Sequence, residues 1–179
     1  MYATDSKTAA IAALGPLFEY PDGRFQERYE EALAAATSVS EDAAEALRAF
    51  WASVAGLSTE YAEELYTRSF DLSPVCVPYV SVHVFGPENF KRAELMTGLA
   101  SAYDRVGYDR GAELPDHIAV VLSGAPLFDA EEWSDLSNYV LAPALEKMRI
   151  ALESANSPWR HLACAVQAML AVGEGNNGY

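Results

Sequence analysis

The run Val75-Cys76-Val77-Pro78-Tyr79-Val80-Ser81-Val82-His83-Val84-Phe85 decides the fold class, because it is the best strand candidate in the chain. Its valines and aromatics suit a pleated surface. Pro78 lies inside it, however, and Pro74 lies just before it. A proline donates nothing to a ladder and is confined to sheet edges and bulges. The run is therefore expected to be irregular or a short helix. Strict alternation of Val, Ile and Thr is nearly absent elsewhere. Alanine is abundant, and acidic residues separate apolar ones at three- and four-residue spacing, which is the helical period.

Helices extend on both sides of this run. Upstream, Ser58 or Thr59 starts a helix carrying Tyr61, Leu65 and Phe70, with an acidic first turn that suits the helix dipole. Before it, Ser38 or Ser40 caps a helix over Glu41 to Ala55, with Leu47, Trp51 and Val54 inward. Ser38 and Glu41 have the capping-box spacing. Two more helices span about Thr4 to Glu19, where Pro16 is a misfit, and Gly23 to Ala36. Downstream, a helix begins near Pro87, carries Phe90, Leu95, Leu99, Tyr103 and Val106, and stops at Gly107. Pro115 opens a sixth with Ile118, Val121 and Leu122 inside. Asp129 caps a long helix to about Ser154 that Pro143 kinks or divides. Ser157-Pro158 starts the last. The expected architecture is all-α: a single-domain bundle of about eight helices over residues 1–172, with a disordered tail over 173–179.

With 179 residues, such a chain buries enough surface to need no disulfide or metal. It carries 12 basic and 26 acidic residues, a formal net charge of −14. That charge repels phosphate backbones and anionic lipid, so nucleic acid and stable membrane association are excluded as partners and a basic peptide is favoured. Solubility alone is the competing account of the charge. Two cysteines far apart, no secretory signal and no apolar stretch of membrane-spanning length point to the cytoplasm.

Few residues suggest catalysis. There is no phosphate-cradling glycine loop, no dinucleotide fingerprint and no GxSxG elbow. His161 and Cys164 share a helix face, and a metal would need further ligands from His83, His117 or Cys76. The alternative function on that basis is a small helical metal-dependent hydrolase using His83, His117, His161 and Cys164. Cys76 could also pair with His83 or His117, but its flanks are apolar, whereas an activated thiolate needs nearby positive charge. Two segments remain. Phe70 to Gly86 is apolar, proline-punctuated and long for a connector. Glu113-Leu114-Pro115-Asp116-His117 gathers two carboxylates and an imidazole about a proline at a helix start, with Asp116 expected in the first helical turn. A helix cap plus a loop histidine is the plainer reading of that segment.

Five stretches occur in order: Tyr20-Pro21-Asp22, Phe70-Asp71-Leu72-Ser73, Tyr79-Val80-Ser81-Val82-His83-Val84-Phe85-Gly86, Tyr103 to Gly107-Tyr108, and Glu113-Leu114-Pro115-Asp116-His117. Together they resemble the NarJ/TorD family of molybdoenzyme maturation chaperones, closest to its NarJ (nitrate reductase delta subunit) branch. The resemblance covers about Leu14 to Leu122.

The resemblance implies a TorD-like, all-helical cytoplasmic chaperone that is not an enzyme and carries no cofactor. Its partner would be the catalytic subunit of a molybdenum-containing oxidoreductase, bound through an N-terminal peptide that can carry a twin-arginine signal. It would hold that subunit until the molybdenum cofactor is in place. Respiratory nitrate reductase is the implied client type, and the oligomeric state would be a monomer or a helix-exchanged dimer. Carried over residue by residue, the peptide-binding positions are Tyr79, His83 and Phe85 with Glu113, Asp116 and His117. The chain departs from the family pattern at Arg92-Ala93, where an Arg-Gly pair is frequent, and at Pro74-Val75-Cys76-Val77, where arginines are common. Physically, Tyr79, Val82, Phe85 and Leu122 could line an apolar groove for a helical peptide, whose arginines Glu113 and Asp116 would attract. A permanent subunit of a membrane oxidoreductase complex is a third reading.

Overall fold

The computed structural model describes residues 5–173; the N-terminal four residues and the tail from Glu174 lie outside the described residues. Ten α-helices follow in order: α1 Ser6–Leu14, α2 Phe25–Thr37, α3 Glu41–Val54, α4 Thr59–Phe70, α5 Val80–Phe85, α6 Phe90–Val106, α7 Ile118–Ser123, α8 Ala130–Leu136, α9 Ala142–Ser154 and α10 Trp159–Ala171. Among the described residues there is no strand, only an isolated antiparallel bridge between Tyr79 and His117. The Val75–Phe85 run thus resolves as expected: Pro74 and Pro78 keep its first half irregular, and Val80 onward forms α5.

Proline chemistry accounts for most differences in detail. The first helix stops at Leu14, and Gly15–Phe18 tightens into a 3-10 turn with Pro16 at its start, where a missing N–H costs nothing. Pro143 divides the long helix: Ser137–Leu141 widens into a π turn between α8 and α9, which lets the chain pass the proline without breaking. Ser40, not Ser38, caps α3 by accepting from the Ala43 N–H; the Ser38 hydroxyl instead donates back to Ala35 O. Asp129 and Glu132 form a reciprocal capping box on α8. In α4 the inward face is Tyr66, Ser69 and Phe70, leaving Tyr61 in water.

The core centres on Trp159, fully buried at the start of α10. Phe50, Tyr66 and Phe70 meet its indole edge-on at 5.6, 5.5 and 5.9 Å. Its ring N–H donates to Leu17 O at 3.0 Å, and the Tyr66 hydroxyl donates to Phe18 O at 2.9 Å. These two bonds satisfy polar groups that burial would otherwise leave costly, and they fasten the 3-10 turn to α4 and α10. Helix α7 is central too: Ile118 to Leu122 are all buried. Gly15 lies against it so closely that a Cβ there would fall 2.8 Å from Ala119 O. By contrast the 17-residue α6 buries only Leu99 and Tyr103. Phe90, at its start, is 75% exposed instead of inward, and Val106 is also exposed.

Candidate functional site

Two sequence segments more than thirty residues apart meet beside α7. Val80 N–H donates to Asp116 O at 3.0 Å, and Ile118 N–H donates to Pro78 O at 2.8 Å. This short bridge lays Tyr79 next to His117, their rings edge to face at 5.6 Å. The Tyr79 hydroxyl donates to Glu113 Oε1 at 3.3 Å. Burial, then the Glu113 carboxylate, raise the tyrosine pKa above its ordinary value. Tyr79 and Glu113 are both partly exposed, so this pair forms the surface of the site.

Asp116 lies beneath. It is fully buried and precedes α7, rather than standing in its first turn. Its Oδ2 accepts from the Ser81 hydroxyl and faces Arg92 Nη2 at 3.6 Å. Arg92 also donates from Nε to Ser81 Oγ at 2.9 Å. One aspartate thus ties α5 and α6 to the segment before α7. Oδ1 has no hydrogen-bond partner.

His117 is the N-cap of α7, its Nδ1 accepting from the Ala119 N–H at 3.1 Å. Accepting requires a bare Nδ1, so the imidazole is neutral with its proton on Nε2. Burial lowers its pKa, and the carboxylates of Glu113 and Asp116 pull it partly back. The cap and the imidazole are therefore one device, and protonation of Nδ1 would remove the cap.

His83 and Phe85 project from α5, both partly exposed. His83 Nε2 lies 2.7 Å from Val77 O and 3.9 Å from Cys76 Sγ. A nitrogen against a carbonyl must donate, so it cannot take a proton from the thiol. The thiol is buried and its pKa is pushed up to about 12. Proximity alone makes no nucleophile here.

The hydrolase alternative finds no support in the geometry. Among the described residues, no group of three or more His, Cys, Asp or Glu side chains could hold a metal ion. His117 is occupied as a cap and His83 by Val77 O, while His161 and Cys164 lie on α10.

Ser81, Arg92 and Tyr103 were not among the residues expected to form the site, yet they hold it. Tyr103 is buried on α6 and donates to Pro115 O at 3.1 Å. The only sequence signal for Arg92 was its position in an altered Arg-Gly pair. Beyond Tyr103 lies an open groove of about 480 Å³ between α6 and α8, floored by Leu95, Leu99, Leu136 and Val140. Nothing in the sequence patterning marks it. No helix among the described residues is long and apolar enough to cross a membrane.

The comparisons with known proteins agree with this architecture. The profile described as nitrate reductase delta subunit matches residues 27–165. No curated protein matches the chain in sequence. Among solved structures, a candidate redox enzyme maturation protein from Archaeoglobus fulgidus superposes with a TM-score of 0.63 at 22% identity, over 95% of this chain and 96% of the other. At that identity the likeness speaks for the fold.

Proposed function

The chain belongs to the nitrate reductase delta subunit family, the NarJ/TorD family, and from that premise we propose that it is a redox enzyme maturation chaperone. Its client is the catalytic subunit of a molybdenum-containing oxidoreductase of the nitrate reductase type. It binds the N-terminal peptide of that subunit and holds the subunit until the molybdenum cofactor is inserted. It performs no catalysis and acts in the cytoplasm.

One observation carries the reading: the two segments that resemble the family, around Tyr79 and around Glu113 to His117, join into one site through their backbones. Tyr79 and Glu113 present an aromatic ring and a carboxylate together, which suits a peptide bearing an apolar anchor next to arginine. Phe85 and His83 extend the contact along α5. Asp116 has no exposed surface, so its role is positioning: with Arg92 and Ser81 it sets the height of α5 against α7. His117 acts in the same way, as cap and as the platform for the Tyr79 ring.

The test is co-expression of the client subunit with and without the chain, followed by molybdenum analysis of the purified client. The expected result is a client poor in molybdenum when the chain is absent, restored by wild type and poorly restored by Tyr79→Ala with Glu113→Gln. Full molybdenum loading without the chain contradicts the reading. Stable retention of the chain in the mature enzyme would make it a permanent subunit instead.

A further inference from the structure

The groove between α6 and α8 lies outside the Tyr79–Glu113–His117 site, and nothing in the fold requires it to be open. Gly98 stands at the middle of α6, where glycine is the poorest helix former after proline. Its φ is not positive, and a Cβ there would meet no atom within 4 Å. Neither backbone conformation nor internal packing therefore calls for glycine. What the missing side chain does is keep the groove clear, since Gly98 lines it.

The rim is acidic. Glu94 stands one turn before Gly98, and Asp135 and Glu132 face it from α8. Glu132 is bonded to Arg105 at 2.9 and 3.0 Å. Glu94 and Asp135 are exposed and form no ion pair among the described residues. Tyr139, on the π turn beside them, is 72% exposed. An apolar floor, an acidic rim and an exposed aromatic select an amphipathic helix with basic flanks. A second copy of a chain with net charge −14 would bring like charge to like, as would nucleic acid or an anionic membrane.

We propose that the α6–α8 groove is a docking site for a basic amphipathic helix, with an apolar side chain seated over Gly98 and its lysines or arginines facing Glu94 and Asp135. This rests on the reading of the chain as a peptide-binding chaperone and adds a second contact surface for a helical segment of the partner. Tyr103 connects the two surfaces: its hydroxyl holds Pro115 O, and its ring packs edge-on against Phe128 at the groove.

The probe is a fluorescein-labelled, roughly 18-residue peptide with a leucine-rich face and a lysine-rich face, titrated into the full chain by anisotropy. Wild type binds it, and binding weakens as salt rises from 50 to 300 mM, in the manner of charge-assisted docking (salt values are about these). Gly98→Leu fills the groove and weakens binding by about tenfold or more, the effect of losing one central contact, while the melting temperature does not fall. Glu94→Gln with Asp135→Asn weakens binding several-fold and flattens the salt dependence. Asp42→Asn with Glu45→Gln removes the same charge from α3 and leaves the affinity unchanged. Equal binding by wild type and Gly98→Leu overturns the proposal, as does no binding by wild type. A concentration-dependent dimer in sedimentation that Gly98→Leu abolishes would assign the groove to a second copy and overturn it equally. The client's own N-terminal peptide is titrated in parallel. Binding of that peptide without binding of the probe leaves the chaperone reading intact and removes only the groove.

Discussion

Arg92→Ala should destabilise the fold more than Asp116→Ala, although each removes one half of the same ion pair. The asymmetry follows from burial. Asp116 is fully buried, whereas the Arg92 side chain keeps 19% of its surface in water. Removing Arg92 leaves a carboxylate with only the Ser81 hydroxyl and an unpartnered Oδ1. Breaking a buried pair from that side costs about 3–5 kcal/mol. Removing Asp116 loses one charge-assisted hydrogen bond, worth about 1.5–3 kcal/mol. It also removes the unpartnered Oδ1 and frees Arg92 to turn outward while still donating to Ser81. The net cost of Asp116→Ala is then about 1–2 kcal/mol. Asp116→Ala placed on the Arg92→Ala background should recover part of the loss. Urea unfolding of the three variants and wild type closes the cycle. An Arg92→Ala cost equal to or below that of Asp116→Ala refutes the reasoning, because it would mean that the buried carboxylate does not depend on Arg92 as its partner.

The same substitution should have opposite signs at two glycines. Gly15→Ala costs about 2 kcal/mol by overpacking against α7, whereas Gly98→Ala gains about 0.5–1 kcal/mol of helix stability; matched melting curves check both. Stability should fall as pH drops below about 6.5. His117, His83 and His161 all have lowered pKa values in the fold, so the unfolded chain binds more protons in that window and acid favours it. His117→Asn keeps a capping side chain and should flatten part of this slope between pH 8 and 5.5 (approximate limits). Cys76 should resist a thiol reagent in the native state, its pKa pushed up to about 12 by burial, while the half-buried Cys164 reacts first. Rapid labelling of Cys76 without unfolding would contradict that placement.

Much of the fold was legible because its signals are local. The helical period, Ser58 and Asp129 as N-caps, Gly107 as a stop, and the prolines of the Val75–Phe85 run place most helices within a few residues of where they lie. Gly107 ends α6 in the left-handed conformation that glycine adopts without strain. The inward faces were less legible. Phe90 and Tyr61 obey the helical period yet stay in water, because periodicity describes one helix and not what packs against it. The site was legible only as two motifs. That Tyr79 would sit on His117 depends on a backbone bridge spanning 38 positions, which no spacing rule supplies. Arg92 and Tyr103 hold that bridge from α6; Tyr103 opens one of the family-like stretches and Arg92 an altered pair, yet neither spacing shows that they reach the segment before α7. The groove went unseen for the opposite reason: Gly98 looks like a weak spot in a helix until its open surroundings are known.

The most direct measurement is calorimetric titration of the N-terminal peptide of the proposed client, the catalytic subunit of a nitrate reductase-type molybdoenzyme. The account predicts one-to-one binding at about micromolar strength, weakened by salt and by Tyr79→Ala with Glu113→Gln. No heat of binding from a peptide shown to be intact, with the chain shown to be folded, would contradict it.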